Sequence, residues 1–126
     1  MADGDGAAPE GTLAASVVAG VSGPVIVLSG EADLASGAQL SALITTQLSG
    51  GTRQLTIDVS GLRFADSATM RTLVLAANTL KQRGGSLVLV RPQRPMTRLL
   101  DLLGAAHMFT IREETRGRPE SKDEAG

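Results

Sequence analysis

The stretch Leu55-Thr56-Ile57-Asp58-Val59-Ser60-Gly61-Leu62-Arg63-Phe64-Ala65-Asp66-Ser67-Ala68-Thr69-Met70 changes its hydrophobic period partway along. Leu55 to Val59 reads as a buried strand, ended by the turn pair Ser60-Gly61. From Ser67 to Arg83, the apolar residues Met70, Leu73, Val74, Ala77 and Leu80 recur at helical spacing. Arg71, Asn78, Lys81 and Gln82 fall on the opposite side, and Gly84-Gly85 stops the helix. Asp66 or Ser67 is a sound N-cap, because a short side-chain oxygen accepts from the free amides of a first helical turn.

The same alternation extends outward from this stretch. Leu13 to Ala19 is strand-like and leads through Gly20-Val21-Ser22-Gly23-Pro24 into the apolar run Val25-Ile26-Val27-Leu28, which suggests a hairpin. Leu40, Leu43, Ile44 and Leu48 share a helical face and are followed by Gly50-Gly51. On the other side, Leu87 to Val90 is a strand apolar on both faces. Met96, Leu99, Leu100 and Leu103 mark a short helix after Pro92 and Pro95, and a last strand lies near Met108 to Ile111. The order β-β-α-β-α-β-α-β predicts an α/β domain with a mostly parallel central sheet flanked by helices. Only the first strand pair is expected to be antiparallel.

Charge is distributed unevenly over the 126 residues. The formal total is -1, from 12 Lys and Arg against 13 Asp and Glu. Residues 12–112 hold nine of the bases and five of the acids, so the acidic excess lies in the ends. Residues 1–11 and 113–126 have too few large apolar side chains to offset the entropy of ordering, and both read as disordered tails around a domain at 12–112. With no Cys, one His and two Phe, the chain has no thiol nucleophile, disulfide, Cys- or His-cluster metal site or base-stacking platform. No cofactor or metal is expected. There is neither a Gly-x-Ser-x-Gly nor a Walker pattern, and His107 stands without a nucleophile beside it, so no enzyme is predicted. No apolar run approaches the roughly 20 residues of a membrane span. The acidic start, Met1-Ala2-Asp3-Gly4-Asp5-Gly6, lacks the basic region of a signal peptide, which predicts a cytoplasmic protein.

Candidate functional residues gather where strands hand over to helices. Ser67 and Thr69 are hydroxyls at a helix N-terminus beside a carboxylate, a setting suited to phosphorylation. Gly30-Glu31-Ala32-Asp33 closes the second strand, with Asp33 placed to cap the following helix. Loops leaving the carboxyl ends of parallel strands share one rim, so Glu31, Asp33 and Asp66 are expected on one edge, with Asp58 near it.

Val25 to Asp33, with its Gly-Glu-x-Asp ending, and the run Leu55 to Leu62 followed by Phe64-Ala65-Asp66-Ser67 together resemble STAS domains, over about residues 12–112. The small stand-alone form of the domain resembles anti-sigma factor antagonists. That resemblance implies a non-enzymatic module that binds an anti-sigma factor, itself a serine kinase of the GHKL type, and so releases a sigma factor. It implies a contact surface of Glu31, Asp33, Asp66, Ser67, Ala68, Thr69, Met70 and Arg71, with an exposed Met70 or nearby apolar atoms supplying burial. From charge, the near-absence of aromatics and apolar run length, no nucleic acid and no membrane span are expected, in a chain expected to be a monomer or weak dimer. The family's usual run is Asp-Ser-Ser/Thr-Gly-Leu, with the acceptor as the second hydroxyl. Here that position is Ala68, and Thr69 stands where the family has Gly. Three readings stay open: binding without a phosphorylation switch, transfer of the acceptor role to Ser67 or Thr69, or service in another assembly such as an accessory subunit of a transport ATPase.

Overall fold

The computed structural model describes residues 13–32 and 34–113, without the side chains of Leu34, Ala35 and Phe64. The expected tails, apart from Glu113, lie outside the described residues, as does Asp33. The elements in chain order are β1 (Leu13–Ala19), β2 (Pro24–Ala32), α1 (Leu34–Ser49), β3 (Gln54–Ala65), α2 (Ser67–Gln82), β4 (Ser86–Val90) and α3 (Arg94–Leu102). A short 3-10 turn (Ala106–Met108) and β5 (Thr110–Arg112) complete them.

The sheet runs β1-β2-β3-β4-β5, so each strand lies beside its neighbour in sequence. β1 and β2 form the antiparallel hairpin, and every other pairing is parallel. The predicted architecture therefore stands. Alternate residues of the inner strands (Ile26, Leu28, Leu55, Ile57, Leu87, Leu89) face Leu40 and Ile44 of α1, Leu73 and Leu80 of α2, and Leu100 of α3 in a single hydrophobic core. Val25, Val88 and Val90, on the other pleat, are buried too, as a strand apolar on both faces requires.

Three boundaries move. β3 does not stop at Ser60-Gly61 but continues to Ala65. Its register against β2 shifts twice, between Val27 and Ser29 and between Gly30 and Glu31, so β3 carries an extra residue at each place. Bulges let a strand absorb turn-favouring residues without ending. At the first, Asp58 supplies a substitute acceptor: its Oδ1 takes hydrogen bonds from the Ser60 amide at 3.0 Å and the Ser60 hydroxyl at 2.7 Å. α3 ends at Leu102, leaving Leu103 outside it and half exposed. The last strand begins at Thr110, because Met108 is bound into the 3-10 turn and Phe109 turns into the core.

The stop of α2 follows the expected glycine pair, and α3 ends in the same way. After α2, Gly84 takes φ +77°, and its amide and that of Gly85 donate to the carbonyls of Lys81 and Leu80. Gly104 (φ +67°) and Ala105 do the same for Asp101 and Leu100 after α3. This pattern satisfies carbonyls that a helix end otherwise leaves unpaired.

Candidate functional site

The rim forms where β2 and β3 end side by side. Ala32 pairs with Ala65, and Glu31 with Phe64, in the last steps of the ladder. The Asp66 amide then donates to the Ala32 carbonyl at 3.2 Å, which ties the entry of α2 to the exit of β2. Gly30 sits at the second bulge with φ +95°, a conformation that a side chain disfavours. The glycine of Gly30-Glu31 is thus the hinge that sets Glu31 at the edge.

Asp66 is the N-cap of α2. Its Oδ1 accepts from the Thr69 amide at 2.9 Å, and its backbone is extended. This bond orients the first turn. Ser67 and Ala68 face outward and are exposed, whereas Thr69 and Met70 face inward and are 0% exposed. Arg71, one turn beyond Ser67, returns to the surface. The expectation of an exposed Met70 is therefore corrected: at N4 of the helix it falls on the core-facing stripe with Leu73 and Leu80. Thr69 is corrected as a candidate phosphoacceptor, because its Oγ1 is buried with no hydrogen-bond partner and a kinase needs an accessible hydroxyl.

Asp58 does not join the rim. It lies seven residues before the end of β3, in register with Val27 and Val90, is 5% exposed, and has its Oδ1 committed to Ser60. The strand ran further than its turn signals suggested, which left Asp58 roughly 20 Å upstream at about 3.3 Å per residue. Glu31 precedes the Ala32 that accepts from the Asp66 amide, and Ser67, Ala68 and Arg71 follow Asp66 as exposed residues of α2.

Two surface residues escaped the sequence reading. Arg63 follows the first bulge and reaches Glu31, Nη2 to Oε2 at 3.8 Å. This pair is largely exposed and holds geometry more than it stabilises. Leu75 is 59% exposed, one turn beyond Arg71. Ser67, Arg71 and Leu75 thus form one outer stripe of α2, and Leu75 is its apolar member. The i, i+4 spacing was visible in the sequence, but an apolar residue among Val74, Ala76 and Ala77 gave no sign of facing outward.

A family model described as "Mlab, STAS domain" matches residues 15–112, and the chain belongs to the STAS domain family. It is 28% identical over 87 residues to a protein of Bordetella bronchiseptica described as "Putative anti-sigma factor antagonist BtrV", covering 69% of this chain and 75% of that one. Its fold is similar to the crystal structure of an anti-sigma factor antagonist from Mycobacterium paratuberculosis, with TM-score 0.74, 20% identity, and coverage of 82% and 87% of the two chains. It is also similar to the Bacillus cell fate determinant SpoIIAA in its phosphorylated form, with TM-score 0.66, 22% identity, and coverage of 80% and 93%. Among the described residues, no helix is long and apolar enough to cross a membrane.

Proposed function

We propose that this chain is an anti-sigma factor antagonist that works as a binding module, not a catalyst. It docks an anti-sigma factor of the GHKL serine-kinase type in the cytoplasm and so releases a sigma factor. The contact surface is Glu31, Asp66, Ser67, Ala68, Arg71 and Leu75. Leu75 supplies apolar burial, and the carboxylates select a basic patch on the partner. Thr69 and Met70 act from beneath, by holding the first turn of α2 on the core. Asp33, which lies outside the described residues, is kept in this proposal as a further acidic contact.

The observation that carries this reading is the outward face of that first turn. Asp66 caps it, Ser67 and Ala68 are exposed on it, and Glu31 stands beside it. The position that takes phosphate in the resembling family is the methyl group of Ala68. The antagonist therefore binds its kinase without being released by phosphorylation there, and Ser67 is the one hydroxyl of the three-residue segment Ser67–Thr69 that a kinase can reach. The same methyl group favours a second reading, a STAS subunit of a transport ATPase, which needs no acceptor hydroxyl at this turn.

The test is incubation of the chain with a cognate anti-sigma kinase and ATP, followed by intact mass and affinity measurement. The wild-type chain is expected to bind and stay unmodified. Ala68→Ser is expected to gain one phosphate and to bind at least tenfold more weakly afterwards, about 1.4 kcal/mol. Phosphate on Ser67 of the wild-type chain would overturn the unswitched reading. Failure to bind any such kinase, with a permease-associated ATPase bound in its place, would establish the second.

A further inference from the structure

A second surface lies on the far side of Arg63. A groove of about 510 Å³ opens there between the last residues of β3 and helix α3. Its lining is mainly aliphatic, with Leu62, Ala65, Met96 and Leu99 along it and Leu102, 77% exposed, at its lip. The charges lining it are all positive: Arg63 from β3, and Arg94 and Arg98 from α3. Arg63 is partly neutralised by Glu31. Among the described residues, neither Arg94 nor Arg98 has an ion-pair partner. Asp101, on the turn after Arg98, is exposed but does not line the groove. The N-cap of α3, Gln93, makes no side-chain cap bond, because its amide donates instead to the Ser60 carbonyl at 2.8 Å. The positive end of the α3 dipole therefore adds to the same field.

The arrangement of these charges selects among occupants. Arg94 and Arg98 are one helical turn apart, about 6 Å along the axis, and Arg63 stands on the opposite wall. Two of the three positive charges thus lie one helical turn apart on one wall, with the third on the other. A fatty acid or other single-headed anion brings one charge to a groove lined by three arginines. A nucleic-acid strand would match the line of charge, but no aromatic side chain lines the groove for a base to stack on. A helix bearing carboxylates one turn apart beside a row of aliphatic side chains matches both the charge spacing and the lining.

We infer that this groove docks an acidic amphipathic helical segment of a partner protein. The aliphatic side chains of that segment cover Leu62, Met96 and Leu99, and its carboxylates pair with Arg94 and Arg98. This surface is separate from the outer stripe of α2, so the domain presents two docking faces of opposite charge that meet at the Arg63–Glu31 pair.

The experiment titrates the full chain with a labelled synthetic helix carrying Leu along one stripe and Glu on its flanks. The same helix with Lys for Glu, and sodium dodecanoate, serve as competitors. The Glu helix is expected to bind at least about tenfold tighter than the Lys helix and to weaken steeply with salt. Backbone amide shifts are expected to concentrate at residues 62–65 and 93–102. The double variant Arg94→Glu/Arg98→Glu should reverse the preference, and Leu102→Asp, at an exposed position, should weaken the Glu helix about tenfold. Leu75→Glu should leave helix binding unchanged, which separates this surface from the kinase-docking one. Equal binding of the two helices, or Glu-helix binding untouched by the double reversal in a folded variant, would overturn the inference. So would displacement of the Glu helix by dodecanoate at equal affinity, which would assign the groove to a single-headed amphiphile.

Discussion

Thr69 carries a hydroxyl into the core, where nothing bonds it. Its amide is spoken for, since it donates to the Asp66 cap, but Oγ1 is buried without a partner. An unsatisfied buried polar group costs about 1–3 kcal/mol. Thr69→Val keeps the β-branched shape and removes the oxygen, so the variant is expected to be more stable by about 1 kcal/mol, read as a higher urea midpoint at unchanged slope. A loss of stability would mean that Oγ1 has a partner. The sequence showed Thr69 to be unusual against the resembling family but could not show which way it points. That direction is set by the Asp66 cap, which fixes the phase of the helix and turns Ser67 and Ala68 out and Thr69 and Met70 in.

The elements that carry the rim owe their positions to their ends. α2 was legible almost residue for residue, because a long amphipathic pattern bounded by a cap and a glycine pair has few competing readings. β3 was not: Ser60-Gly61 has the local chemistry of a turn, and the ladder to β2, the Asp58–Ser60 bonds and the Gln93 amide on the Ser60 carbonyl keep it extended. The cap is the element-level control on the site. Asp66→Ala removes the acceptor for the Thr69 amide and is expected to cost about 1 kcal/mol, whereas Asp66→Asn should stay within a few tenths. Thermal unfolding of the pair checks this, and equal loss in both would point to charge as the source. The cap variant also blurs the direction of Ser67 and Ala68, so partner affinity should fall further for the Ala variant than for Asn.

At the scale of the molecule, the two glycines after α2 do different work. Gly84 has open space where a Cβ would stand, and only its positive φ demands glycine. Gly85 has no such strain, but a Cβ there would collide with the Arg53 carbonyl oxygen, which also accepts from the Ser86 amide at 2.9 Å. That contact joins the start of β4 to the residue before β3. Gly84→Ala is therefore expected to cost about 1–2 kcal/mol, and Gly85→Ala more than about 3 kcal/mol, because a main-chain neighbour must move. Denaturant titration of the two variants gives the order, and equal costs would refute the close-approach account. The charge of the folded part is equally a property of the whole. Nine bases against five acids hardly describe a surface, but the fold separates an acidic edge at Glu31 and Asp66 from a basic groove at Arg94 and Arg98.

By itself the sequence determined the order of strands and helices, the mostly parallel sheet, the glycine stop after α2 and a cap at Asp66 or Ser67. Each of these follows from side-chain period or from chemistry within a few neighbouring residues. The tertiary structure alone decided that β3 runs on through Ser60-Gly61, that Asp58 is buried away from the rim, that Leu75 is surface, and that Arg63, Arg94 and Arg98 share one groove. These depend on the register of strands distant in sequence and on the rotation of each helix against the sheet. Both are fixed by packing of the whole core, which no local pattern records.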